Sequence, residues 1–140
     1  MIRVQQEDFD IGAEVAKLTA GRTDIGAIVT FTGTVRDHDG AVEEFKRLSA
    51  ECMEIVRTKD TGTLQYDTYF NDDETECIVI ERFRDSDALI DHGENLAHLM
   101  DAIIATGSVS GELLGNPSAE LRARFASGGP VQLFTPWMTM

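Results

Sequence analysis

Few side chains in this sequence are suited to proton or aromatic chemistry: three histidines, two tyrosines, two cysteines and one tryptophan. His92 stands out among them. It follows Leu89 and precedes Leu96 at the spacing that puts all three on one stripe of a helix. An imidazole on an apolar stripe can take a proton from a phenol or an acidic carbon near neutral pH. A histidine satisfied by a neighbouring hydrogen bond would show the same pattern. His98 falls off that stripe and reads as solvated. Tyr66 shares a strand face with Leu64 and Phe70, so its phenol is expected inside, able to touch a substrate oxygen, whereas Tyr69 points the other way. Aromatic residues at strand spacing, such as Phe70 and Trp137, are more often packing than binding. Arg82 could steer an anionic ligand or pair with surface carboxylates. Metal-ligand spacings, phosphate loops, dinucleotide fingerprints and nucleophile elbows are missing from the sequence, so no metal and no cofactor is expected.

The elements that must position these groups are clearest between Gly62 and His92. Leu64, Tyr66, Thr68 and Phe70 alternate with Gln65, Asp67 and Tyr69, and Asn71–Glu74 supply turn residues. A second run then places Cys77, Val79, Glu81 and Phe83 on one face and Ile78, Ile80 and Arg82 on the other. Beyond it the apolar period changes from two to about 3.6, and Asp85 or Ser86 is the expected cap of a helix over 86–105. Two strands feeding directly into a helix form the central half of a ferredoxin-like α+β unit. Upstream, Val42, Phe45, Leu48, Cys52, Ile55 and Val56 mark an amphipathic helix over 41–57. A strand is expected over 26–36, followed by a turn at 37–40. Downstream, strands are expected over 109–114 and 131–138, with a short helix opened by Pro117 between them. Asp8 or Asp10 caps a further helix carrying Ile11, Val15 and Leu18, stopped by Gly21.

The strand carrying "GTLQY", the strand end "ERFRD" and the helix start "DALIDH", in that order, resemble the antibiotic-biosynthesis-monooxygenase (ABM-like) family. A looser likeness runs from about Val42 to the C-terminus, where "GELLGNPSAELRARF" and "GPVQLFTPWMTM" are similar to the tail of quinol monooxygenases. The resemblance implies a dimeric ferredoxin-like α+β barrel in residues 25–140, with residues 1–24 as an extra N-terminal βα arm. It also implies a homodimer that acts, without a cofactor, on a quinol, an anthrone or a similar small aromatic molecule. In that scheme His92 is the base or an orienting group, Tyr66 meets the substrate oxygen, Phe31, Phe70, Met100 and Trp137 form the walls, and the substrate anion reduces dioxygen. A binding module without turnover, or a haem protein using His92 or His98 as iron ligand, are the alternatives within the same fold.

The N-terminal run "VQQEDFDIGAEVAKL" and the following "DIGAIVTFTGTVRDHDG" resemble the opening of the molybdopterin synthase catalytic (large) subunit. In that family sulfur transfer depends on an arginine in this motif, matched here by Arg36, and on C-terminal lysines. No lysine follows Lys59, and "TPWMTM" stands where the family has a lysine-bearing pattern. Without those cations little would hold an anionic pterin phosphate or link to a carrier carboxylate.

Composition narrows the remaining classes. A 140-residue chain with 42% hydrophobic residues can bury one core. Its net charge of −13 disfavours nucleic acid and anionic membranes as partners. No apolar run is long enough to span a bilayer, and no basic-then-apolar leader opens the sequence. Cys52 and Cys77 both fall on apolar faces and read as small buried hydrophobes, and the cytoplasm is the default compartment.

Overall fold

Alternation along Glu76–Phe83 organises the sheet: Cys77 and Phe83 are buried, while Ile78, Ile80 and Arg82 lie on the opposite face. A computed structural model describes residues 27–35 and 40–138. Within them the order is β1 (Ala27–Val35), α1 (Ala41–Lys59), β2 (Thr63–Phe70), β3 (Glu76–Phe83), α2 (Ser86–Ala105), β4 (Gly107–Gly115), α3 (Ala119–Phe125) and β5 (Val131–Phe134). The sheet order is β2-β3-β1-β4-β5. The first four strands pair antiparallel and β5 adds parallel to β4. This is the ferredoxin-like split βαβ arrangement with one additional edge strand. The expected N-terminal arm, Arg36 and His38 lie outside the described residues.

Register fixes what faces the helices. Val29 opposes Glu81 and Leu113, Phe31 opposes Val79 and Gly111, and Gly33 opposes Cys77 and Val109. Gly111 is needed there, because a Cβ would stand 2.7 Å from the Phe31 ring. On the other face Thr30 donates a 2.7 Å hydrogen bond to Glu112. β2 joins β3 with a shift in register between Thr63 and Gln65.

Each helix has a local cause. Asp85 accepts a 2.8 Å hydrogen bond from the Ala88 amide and so caps α2. Ser118 caps α3 through the Leu121 amide. α1 begins at Gly40, in a left-handed conformation (φ 84°), with Glu43 and Glu44 beside its N-terminus and Arg57 and Lys59 in its last turn. Its apolar stripe meets that of α2: Leu48, Cys52, Ile55 and Val56 pack with Leu96 and Leu99, with Tyr66 and Ile103 against them. A second cluster joins Val29, Phe83 and Leu113 of the sheet to Leu89 and Ile90 of α2 and Leu121 of α3. Fully burying each such side chain contributes about 1.5–3 kcal/mol.

Three expected boundaries change. α1 runs two residues further, to Lys59, and β4 starts at Gly107 because Gly107 and Ser108 pair with Val35 and Thr34. The last strand stops at Phe134. Pro136 has no N–H to donate to a ladder, and Trp137 beyond it is 90% exposed.

Candidate functional site

Between the two core clusters lies a cavity of about 460 Å³, in the range of small-ligand sites. β1 contributes Phe31 and Gly33, β3 contributes Cys77, Val79 and Glu81, and α1 contributes Phe45 and Cys52. α2 lines one wall with Leu89, His92, Leu96 and Met100, and α3 adds Leu121 and Phe125. Nearly all of this surface is carbon. The buried ionisable groups come together in one place.

There His92 lies between two carboxylates. Its Nδ1 is 2.7 Å from Asp60 Oδ2, and its Nε2 is 3.7 Å from Glu81 Oε1. The three side chains are only 7%, 2% and 5% exposed, in the order His92, Asp60, Glu81. Asp60 also accepts hydrogen bonds from Asn95 Nδ2 at 2.9 Å and Thr63 Oγ1 at 2.6 Å. The Phe83 ring meets the imidazole edge-on at 5.1 Å between centroids, and the Tyr66 ring lies 5.6 Å from it.

The charges follow from these contacts. Burial works against a charged His92, but Glu81 and Asp60 more than offset it, and its pKa stands above the usual histidine value. Burial would raise the Asp60 pKa, yet the donors Thr63, His92 and Asn95 hold it below the ordinary carboxylate range. Burial, the Glu81 charge and a hydrogen bond with the Cys52 thiol push the Tyr66 phenol far upwards. Tyr66 is therefore a neutral partner. The donors lie on opposite sides of the imidazole ring and cannot converge on one ion, and among the described residues no group of three or more His, Cys, Asp or Glu could hold a metal.

Gly62 explains how Asp60 reaches His92. A Cβ at Gly62 would stand 2.4 Å from that of Ala88, so only glycine lets the α1–β2 turn lie against the first turn of α2. His92 is one helical turn beyond Ala88 on the same side. The Gly62 carbonyl accepts the Arg84 amide at 2.9 Å, which fastens the turn.

Of the residues singled out in the sequence, His92, Tyr66, Phe31 and Met100 come together on the cavity. Three do not. Phe70 sits at the far end of β2, edge-on to Phe45 at 5.8 Å, and it is Phe45 that reaches the wall. Arg82 lies on the opposite sheet face, in register with Ile28 and Gln65. Trp137 projects into solvent beyond β5. Asp60 and Glu81 belong to the site without being among the residues that the sequence singles out. For Glu81 the signal was present, a lone acid in the apolar row of Cys77, Val79 and Phe83. Nothing local marks Asp60.

Against this geometry, the family model described as "MoaE protein" matches residues 4–83, more than half of the chain. The chain belongs to this family. The MoaE match extends past the N-terminal motif and through β3. Curated molybdopterin synthase catalytic subunits match in part. One from Mesorhizobium japonicum is 41% identical over 66 residues, covering 38% of this chain and 42% of that protein. One from Rhizobium meliloti is 61% identical over 41 residues, 29% and 26% of the two chains. The chain thus spans less than half the length of these MoaE-type relatives. Solved structures resemble it in fold. MupZ from Pseudomonas fluorescens superposes with a TM-score of 0.69 at 23% identity, over 81% of this chain and 92% of that one. SnoaB, a cofactor-independent oxygenase from Streptomyces nogalater, gives 0.57 at 15% identity over 69% and 97%. An antibiotic biosynthesis monooxygenase gives 0.55 at 21% identity over 66% and 99%. A MoaE-family sequence therefore carries a ferredoxin-like fold of the ABM type.

Proposed function

We propose that the protein is a cofactor-independent oxygenase that deprotonates a small hydroxylated aromatic, of quinol or anthrone type, and lets the resulting anion react with dioxygen. The observation that carries this reading is a carbon-walled cavity whose buried charges are gathered at Glu81 and His92. An apolar substrate fits such walls. The buried acid–imidazole pair can handle a proton there, and a dry site favours a delocalised anion over a hydrated one. His92 orients, Tyr66 offers a neutral hydroxyl, and Phe31 and Met100 are walls. At an activated CH₂ the anion passes one electron to dioxygen. Radical and superoxide then combine into a peroxide, and loss of water leaves a ketone, so CH₂ and O₂ give C=O and H₂O. The fold shared with SnoaB, a cofactor-independent oxygenase, supports the same chemistry. A homodimer built like its fold relatives is part of this proposal, as is a cytoplasmic location. Among the described residues no helix is long and apolar enough to cross a membrane.

Oxygen-electrode measurements with the purified chain and a panel of quinols and anthrones test the reading. One O₂ should be consumed per ketone formed. Val79→Trp, which fills the cavity, should abolish uptake while leaving the fold intact. Absence of uptake across the panel, or an unaffected Val79→Trp rate, overturns it.

The MoaE family match favours a second reading, sulfur transfer to a pterin together with a carrier protein, using Arg36. The lack of any lysine after Lys59 counts against it. Rescue of a strain lacking its molybdopterin synthase catalytic subunit would establish this second reading in place of the first.

A further inference from the structure

We infer that Glu81 is the proton acceptor of the cavity, and that Asp60 is a positioning residue that holds His92 behind it through the Nδ1 hydrogen bond, with Nε2 turned towards Glu81. This rests on the cavity being a deprotonating site, as proposed above. Glu81 lines the cavity from the middle of β3, and its Oε2 is buried without a hydrogen-bond partner. A buried carboxylate oxygen left unpaired costs about 1–3 kcal/mol or more, and a donor on a bound ligand would satisfy it. The other oxygen, Oε1, is turned towards His92 Nε2.

The far side of the imidazole is fixed. Asp60 Oδ2 takes Nδ1–H and Thr63, while Oδ1 takes Asn95. A carboxylate receiving three donors remains charged, so the Nδ1 proton is committed. If Nε2 were bare, its lone pair would face the Glu81 carboxylate at 3.7 Å between two buried side chains, so a proton belongs between them. The groups facing His92 are Asp60 from the α1–β2 turn, Glu81 and Phe83 from β3, and Tyr66 from β2, its hydroxyl tied to Cys52 of α1. Asn95 adjoins it from α2 itself. Tyr66, held neutral, cannot compete for the proton. Asp60, saturated with donors, cannot either.

In the step itself an O–H or acidic C–H bond of the ligand breaks heterolytically. Its electron pair stays on the ligand and the proton bonds to Glu81 Oε2. One negative charge moves from the carboxylate to the ligand, so the buried charge neither grows nor shrinks. His92, still cationic, stands behind the neutralised acid.

The test uses the full chain and two readouts. Histidine-ring NMR titration, with His92 assigned by His92→Gln, should show the His92 midpoint above the usual histidine value of about 6.5. Glu81→Gln and Asp60→Asn should each move that midpoint to lower pH. A His92 that is neutral at pH 6.5, or indifferent to Glu81→Gln, overturns the arrangement whether or not a substrate is known. With any compound the wild type oxidises, Glu81→Gln should lower kcat by about 100-fold or more while KM changes little, and Glu81→Asp should restore part of the rate. Asp60→Asn should lower kcat by about tenfold and displace the pH limb of kcat/KM. Full kcat in Glu81→Gln would refute the role of Glu81 and leave the oxygenase reading standing. A wild type inert towards the whole panel would remove the oxygenase reading, and the NMR titration would still decide the proton arrangement.

Discussion

Asp60→Ala is the substitution that most directly probes the buried charges. It removes one carboxylate and three hydrogen bonds at once, from His92, Asn95 and Thr63. Thr63 and Asn95 are half-buried and can recruit water. The His92 side chain, 7% exposed, cannot do so easily and would be left cationic or forced to give up its proton. Breaking a buried ion pair on one side costs about 3–5 kcal/mol. For a chain of this size that corresponds to a fall in Tm of about 10–15 °C. The loss should depend on pH. The folded pKa of His92 lies above its unfolded value near 6.5, so its contribution is complete below pH 6.5 and disappears as pH rises through the folded pKa. The folded pKa of Asp60 lies below its unfolded value of 3.8, so its contribution is present above that value and disappears as pH falls through the folded pKa. Wild-type stability from the pair is therefore greatest between about pH 4 and 6.5, and Asp60→Ala should flatten the curve there. Urea unfolding followed by circular dichroism at pH 5, 6 and 8.5 gives the comparison. A penalty below about 1 kcal/mol at pH 6, the range of exposed pairs, would refute the account of this site.

Three further outcomes are expected. Leu48→Ala empties a position 1% exposed between α1 and α2 and should cost about 2–5 kcal/mol in urea unfolding. Gly62→Ala drives a methyl to 2.4 Å from Ala88 Cβ and should cost about 1–3 kcal/mol. The double variant Gly62→Ala/Ala88→Gly should recover part of that loss, whereas Gly128→Ala, strained in backbone (φ 86°) but free of contacts, should gain nothing from Ala88→Gly. The single tryptophan, Trp137, is 90% exposed, so acrylamide should quench its fluorescence nearly as well as that of a free indole. A shielded Trp137 would contradict its placement.

Much of this architecture could be read from periodicity. The α2 bounds, 86–105, and its Asp85 cap follow from a stripe and a short polar residue, both local signals. The division of β3 into two faces was equally plain. What escaped depends on partners distant in sequence. β4 gains its first two residues only because β1 offers them a ladder, and isolated glycine and serine carry no strand signal. Asp60 sits 32 positions from His92, and a close turn at Gly62 brings them together. Phe70, Arg82 and Trp137 do not line the cavity. Arg82 lies on the face that its alternation with Cys77 and Val79 predicts, and the exposure of Trp137 follows from the early end of β5. Glu81 was legible as an acid among hydrophobes, although its pairing was not.

The margins of the sheet bear on how the molecule behaves when concentrated. Among the described residues one margin is β2, whose ladder slips between Thr63 and Gln65 and which carries Asp67 in mid-strand; the other, β5, is four residues long. A bulged, acidic border and a very short one are poor templates for an incoming strand. A net charge of −13 adds long-range repulsion between molecules, so the protein should resist fibrillar stacking in crowded solutions.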